Sequence, residues 1–227
     1  MLDKIVFSPP ELGCVLYLPG LPGGSNKIYD RSPYGNIGTI IGAVWNRLPS
    51  GLWCLDFDGT DDHANFGNPS SLQITSSMTI LVWVNQGNTA DGAILFKDTG
   101  VSGDRGWYHT FVAGKPRLFL SIDGSSGAYR TADNAVIVGT WYLLGAVYDA
   151  PAQTIVLYKN GTVDPSTLTG TVPASQFNCS GDVWMGERSD GAIDLTCLIG
   201  LVRVYNRALS ALEVQNCYNR ERHLFGI

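Results

Sequence analysis

The stretch Trp141-Tyr-Leu-Leu-Gly-Ala-Val-Tyr-Asp149, followed closely by Ile155-Val-Leu-Tyr-Lys-Asn-Gly161, decides the fold. Both runs are short and rich in β-branched and aromatic residues, the composition of strands rather than helices. The second ends on Asn160-Gly161, a pair that accepts the positive φ angles of a tight hairpin. Two other stretches share this grammar of a strand closed by polar turn chemistry. They are Leu55-Asp-Phe-Asp-Gly-Thr-Asp-Asp62 and Val202-Arg-Val-Tyr-Asn-Arg-Ala-Leu-Ser-Ala-Leu-Glu213. Met78-Thr-Ile-Leu-Val-Trp-Val84 is apolar on both alternations except at Thr79, so both its faces need cover and it belongs near the middle of a sheet.

Further strands are predicted at 14–18, 38–44, 53–57, 93–97, 108–112, 117–122, 183–186 and 197–205. Gly and Pro recur about every ten residues, the spacing of a sandwich or barrel. One helix stands out. Ser210 followed by Glu213 forms a capping box, and Leu209 and Val214 suit a hydrophobic staple. Val214, Cys217 and Tyr218 then share a face, and the helix is expected to end near Arg220. The tail carries apolar Leu224, Phe225 and Ile227, which either dock on their own domain or insert into a neighbour.

The chain has 227 residues, ordinary for one large β-sandwich. Charged residues make up 15%, against roughly 25% in typical soluble proteins. Such a surface is either covered by a partner or simply low in Lys and Glu, as sandwiches are. The net charge of −5 and the absence of any basic run argue against nucleic-acid binding. No apolar run approaches the roughly 18 residues of a membrane span. Residues 1–10 lack a basic region followed by a long apolar core, so no signal peptide is expected there, or one has been removed. The five cysteines are odd in number and widely spaced, with no Cys-x-x-Cys pair, which disfavours zinc and suggests buried, reduced thiols.

Several motifs in order resemble the laminin G-like, concanavalin A-like jelly-roll family over roughly Gly13 to Asn219. They are Val15-Leu-Tyr-Leu18, Asp30-Arg-Ser32, Gly35-Asn36, the Phe57–Asp62 element, the Thr79–Val84 strand and Tyr205-Asn-Arg-Ala-Leu-Ser210. The resemblance implies an all-β, two-sheet antiparallel jelly-roll sandwich with one short C-terminal helix. It implies one domain over 1–227, with a core at about 12–220 and an apolar tail at 221–227. One position departs from the pattern. Cys197-Leu-Ile-Gly200 carries Gly where the family usually has an acidic residue. In related sandwiches that carboxylate can help hold a structural calcium. Here Asp30 and Asn36 remain as candidate contributors, although calcium wants about six to eight oxygens.

Glycoside hydrolases on such sandwiches need two positioned carboxylates, commonly in a Glu-x-Asp-x-x-Glu strand. The chain has only Glu11, Glu187, Glu213 and Glu221, none in that pattern, so no catalytic residue is assigned. His63, His109 and His223 show no metal spacing, and no Gly-x-Ser-x-Gly elbow occurs. Carbohydrate sites combine flat aromatic faces with polar side chains on loops. Asp104, Arg105 and Trp107 in the predicted loop 97–107, and Tyr129 and Arg130 in the predicted loop 124–134, are the candidate ligand-binding residues. The competing reading makes these solvated turns with one aromatic lid each. Trp53, Trp83, Trp141 and Trp184 lie on predicted strands and are expected in the core.

The functional expectation is a non-enzymatic structural or attachment protein, located on a virion surface or outside the cell. The resemblance allows display on a phage particle as a capsid decoration or tail attachment component, as a homo-oligomer or with other virion proteins. The alternative is a free-standing carbohydrate-binding module recognising a surface glycan.

Overall fold

A computed structural model describes residues 12–24 and 26–227. The expectation about an export signal falls on residues 1–10, outside the described residues. In chain order the first strands are β1 (Cys14–Leu18), β2 (Lys27–Tyr29), β3 (Ile37–Ile41), β4 (Val44–Arg47), β5 (Trp53–Asp58) and β6 (His63–Asn65). Then come β7 (Met78–Gln86), β8 (Gly92–Asp98), β9 (Arg105–Val112), β10 (Lys115–Ser121), β11 (Gly127–Ala132) and β12 (Trp141–Asp149). The last are β13 (Thr154–Lys159), β14 (Thr162–Val163), β15 (Ser166–Thr169), β16 (Val183–Met185) and β17 (Thr196–Tyr205), followed by helix α1 (Ala211–Glu221).

The strands form two antiparallel sheets. An eight-stranded sheet runs β14-β13-β12-β7-β17-β5-β4, with β1 also paired to β17. A nine-stranded sheet runs β15-β11-β10-β9-β8-β16-β6-β3-β2. The main core fills the space between them. Ile80, Val82 and Val84 of β7 meet residues such as Trp107, Phe111, Leu118 and Leu120 of the facing sheet. Because side chains alternate along a strand, Leu81 and Trp83 of β7 point the other way. They enter a second cluster on the outer face of the eight-stranded sheet. The two-sided apolar pattern of Met78–Val84 thus marks a strand buried on both faces, lying between β12 and β17.

Helix α1 covers that second cluster. Ser210 accepts a hydrogen bond from the Glu213 amide, and the Glu213 carboxylate accepts one from the Ser210 amide. Leu209, Val214 and Cys217 are buried beneath the helix. A 3-10 turn at Arg222–Phe225 then drives Leu224 and Phe225 into the same cluster, so the apolar tail docks on its own chain while Ile227 stays exposed. The Phe225 ring stacks on Trp83 with centroids 4.1 Å apart. Gly200 makes room for it, since a Cβ there would lie 2.6 Å from Phe225 Cε1. The departure from the family pattern at Gly200 therefore has a packing cause.

Six strands escape the sequence reading: β2, β4, β6, β11, β14 and β15. All but β11 are at most four residues long, and β4, β14, β15 and β2 lie at the sheet margins, where apolar patterning is weak. The predicted strand 38–44 is two. β3 belongs to the nine-stranded sheet and β4 to the eight-stranded one, with the crossing at Gly42 and Ala43. All five cysteines are buried. Burial pushes the Cys54 thiol up to about 12 and raises that of Cys197 further.

Candidate functional site

Each sheet has an outer face, and α1 with the C-terminal tail seals much of the one on the eight-stranded sheet. The outer face of the nine-stranded sheet is built differently. Val183 and Met185 of β16 belong to the main core, so Trp184 between them points outward. The same alternation turns Phe96, Tyr108, Phe119 and Tyr129 outward, because Leu95, Trp107, Leu118, Leu120 and Ala128 face the core.

These residues are in register. Lys27 stands opposite Thr39, Thr39 opposite Asn65 and Asn65 opposite Trp184. Trp184 stands opposite Phe96, Phe96 opposite Tyr108, Tyr108 opposite Phe119, Phe119 opposite Tyr129 and Tyr129 opposite Thr169. Every strand of the sheet contributes one residue to a single transverse row. Three polar residues, Lys27, Thr39 and Asn65, are followed by five aromatic ones from Trp184 to Tyr129, with Thr169 at the far end, and Trp184 sits at the junction.

In the aromatic half the rings stack on one another. Phe96 and Tyr108 lie 4.6 Å apart at 7°, and Tyr108 and Phe119 lie 4.6 Å apart at 9°. Their faces satisfy each other, which leaves Phe96 and Phe119 buried. At the far end the Arg117 guanidinium covers Tyr129 at 4.4 Å. At the junction, Trp184 is half-buried and His63 tilts against it at 4.3 Å.

Trp184 lines an open depression of about 410 Å³ with Ile37, Thr39, Ile41, Asn65 and Asp182. Its polar groups are held in place. Asn65 Nδ2 donates to Asp182 Oδ2 at 3.0 Å, and Thr39 Oγ1 accepts from Lys27 Nζ at 2.7 Å. Lys97, buried on β8, donates through Nζ to Asn68 Oδ1 and to the carbonyls of Cys179 and Gly181, fixing the segment that carries Asp182 into β16. His63 Nδ1 lies 2.7 Å from Glu187 Oε2, which sets the imidazole plane. Burial pushes the Glu187 carboxyl up, and His63 pulls it back.

Five residues were expected to bind ligand, and the structure divides them. Tyr129 lies on the transverse row. Trp107 and Arg130 lie on the opposite side of the sheet. Trp107 is fully buried in the main core, so it offers no face to a ligand. Arg130 donates through its Nη1 to the Ser166 carbonyl. The predicted loop 124–134 is largely strand β11, whose Ala128 and Ala132 pack inward and whose backbone pairs with β10 and β15. Asp104 is pinned by Ser180, whose amide donates to its Oδ1 at 2.8 Å and whose hydroxyl donates to its Oδ2. Arg105 opens β9 opposite Asp98. Of the four tryptophans expected in the core, only Trp83 is fully buried; Trp53, Trp141 and Trp184 are half-buried. Sequence reading therefore inverted Trp107 and Trp184. The usable signal is the alternation itself: Trp184 is flanked by Val183 and Met185, two residues that commit the opposite side to the core.

Asp30 and Asn36 come together, but not in a form that suits calcium. The buried Asp30 carboxylate accepts five hydrogen bonds, from the Tyr17, Ser32 and Asn36 amides, the Ser32 hydroxyl and Asn36 Nδ2, all at 2.7–3.0 Å. Asn36 Oδ1 accepts from Ser71. Amide and hydroxyl donors already fill the lone pairs a cation would need. This carboxylate is the hub of a loop. Among the described residues, no three His, Cys, Asp or Glu side chains converge as metal ligands.

A family model described as the concanavalin A-like lectin/glucanases superfamily matches residues 58–215. No curated protein matches the sequence. Among solved structures, the binding domain of Paraclostridial Mosquitocidal Protein 1 is similar at 14% identity and a TM-score of 0.70, over 91% of this chain and 52% of that one. The botulinum neurotoxin serotype G binding domain is similar at 15% identity and a TM-score of 0.70, over 90% and 50%. A mutant Trypanosoma rangeli sialidase displaying trans-sialidase activity is similar at 15% identity and a TM-score of 0.66, over 97% and 35%. The chain spans about half the length of the toxin binding domains and about a third of the sialidase. At these identities the likeness is one of fold. Two antiparallel sheets in this topology, with the family match covering most of the chain, establish that the chain belongs to the concanavalin A-like lectin/glucanases superfamily.

Proposed function

We propose that this chain is a non-catalytic attachment module that binds a glycan on the outer face of its nine-stranded sheet, at Trp184. The observation that carries this reading is the junction in the transverse row. A half-exposed indole meets Asn65, Thr39 and Asp182 in one open depression. Sugars are recognised by an aromatic surface against their apolar C–H face and by oriented hydrogen-bonding groups against their hydroxyls. Both are present, and the polar groups are pre-positioned, which lowers the ordering cost of binding.

Asp182 is the single carboxylate among the residues lining this depression. Hydrolysis of a glycosidic bond needs two facing carboxylates, so the geometry favours binding over turnover. The toxin binding domains that share the fold fit the same reading. Display in many copies, as on a virion surface, would raise the avidity of such an open and individually weak site.

A glycan array probed with the purified chain and with Trp184→Ala tests the proposal. Binding to a defined glycan set that the variant loses supports it. Equal array profiles for the two proteins, or hydrolysis of the arrayed glycans, would contradict it.

A further inference from the structure

The row continues past Trp184 to a second, smaller depression of about 160 Å³, lined by Phe96, Tyr108, Arg117 and Arg188 among others. Two guanidinium groups, Arg117 and Arg188, line it beside Tyr108, and a third, Arg105, lies at the start of the same strand as Tyr108. They are not equivalent. Arg188 is clamped by Asp190 through two bonds of 2.7 Å. Arg105 faces Asp98 across the β8–β9 pair. Asp91, also on the rim, accepts from the Ala113 amide at 2.8 Å. Among the described residues, Arg117 has no carboxylate partner. Its Nε donates to Thr131 Oγ1 at 2.8 Å and its Cζ lies over the Tyr129 ring, 4.4 Å from the centroid. The guanidinium is thus oriented by one hydrogen bond and one ring, while its two terminal nitrogens remain for a ligand. A planar, pre-oriented guanidinium recognises a carboxylate or sulfate through paired N–H groups.

Tyr108 is two strands from Trp184, roughly 10 Å at the usual strand spacing. An oligosaccharide lying across the strands would span both depressions. We infer that Arg117 is a specificity residue that selects an acidic glycan, one bearing a carboxylate or a sulfate, with the acidic group beside Tyr108 and a neighbouring sugar on Trp184.

This inference rests on the glycan-binding reading, and one experiment separates the two. Binding of a neutral oligosaccharide, its uronate-bearing counterpart and its sulfated counterpart is measured by calorimetry for the native chain, Arg117→Gln and Trp184→Ala. The native chain should prefer at least one acidic form by about tenfold or more, the scale of one charge-assisted contact. Which acidic form is preferred identifies the group. Arg117→Gln should erase the preference and keep neutral binding, whereas Trp184→Ala should weaken all three. Equal affinities for neutral and acidic forms in the native chain, or an unchanged preference in Arg117→Gln, would overturn the inference and leave the glycan site standing. No binding of any of the three would overturn both. Retained thermal stability of Arg117→Gln establishes that its effect is local.

Discussion

Trp184 of β16 stands directly opposite Asn65 of β6, and this pair marks where the transverse row of the nine-stranded sheet changes from polar to aromatic. To one side Lys27 donates to Thr39 within the row, and Asn65 donates to Asp182 just off it. To the other the residues stack ring on ring. The half-exposed aromatic residues of the row are Trp184, Tyr108 and Tyr129. Tyr108 is stacked between Phe96 and Phe119 and Tyr129 lies under Arg117, whereas Trp184 stands at the boundary with the polar half. Rigid placement is what a weak, shallow recognition site needs, because little freedom is then lost on binding.

The opposite outer face makes a contrasting prediction. There Gly200 exists to admit Phe225, which covers Trp83. Phe225→Ala should cost about 3 kcal/mol through the cavity it opens. Gly200→Asp, which restores the acidic residue usual in the family, should also destabilise, by forcing a carboxylate against the ring. The two changes should be less than additive when combined, since removing the ring creates space for the aspartate. Urea denaturation of the two single variants and the double variant measures this. Strict additivity would show that the glycine and the tail are independent.

Calcium should not matter to stability. Asp30 is saturated by protein donors, so melting temperatures in excess calcium and in chelator should agree within about 2 °C. Asp30→Ala, by contrast, should lower stability by about 3 kcal/mol, because buried amides at Tyr17, Ser32 and Asn36 lose their acceptor. A large calcium-dependent rise in melting temperature would refute this account of the loop.

His109 gives the fold an acid-sensitive element. It is fully buried in the nine-stranded sheet, neither ring nitrogen has a hydrogen-bond partner among the described residues, and burial lowers its pKa to about 4. The unfolded value is near 6.5. Between these values the unfolded chain binds the proton and the folded chain does not. Stability from this group is therefore intact above about pH 6.5 and lost as pH falls towards about 4, by up to about 1.4 kcal/mol per pH unit. His109→Leu should remove that dependence and stabilise the fold even at neutral pH, because an unpartnered polar ring is replaced by an apolar side chain. The difference in denaturation midpoint between the two proteins, followed from pH 7.5 to pH 4.5, isolates the effect from that of other groups. A constant difference would contradict it.

Some of this was legible in the chain. Met78–Val84 announces a strand buried on both faces because both alternations are apolar. Ser210 and Glu213 announce the helix because a capping box is a local device. The transverse row was not legible, for a physical reason. Its members come from nine strands, and only pairing register brings Lys27, Asn65, Trp184 and Tyr129 into one line. Gly92–Asp98 is buried at every position, so composition could not say that Phe96 faces outward and Leu95 inward. In β11, Gly127-Ala-Tyr-Arg-Thr-Ala132 follows an Asp123-Gly-Ser-Ser126 turn, and its small inward residues read as loop. Arg117 is equally illegible, because a lone arginine on a strand gains meaning only from Tyr129 and Thr131 on the neighbouring strand.

The central claim is that recognition occurs at Trp184. Its most direct test is an NMR titration of the ¹⁵N-labelled chain with a glycan selected from the array, following the six tryptophan indole resonances. The account predicts that the Trp184 indole signal shifts with saturation while those of buried Trp83 and Trp107 stay fixed. Saturable shifts at Trp141 or elsewhere on the eight-stranded sheet, with Trp184 unmoved, would contradict it.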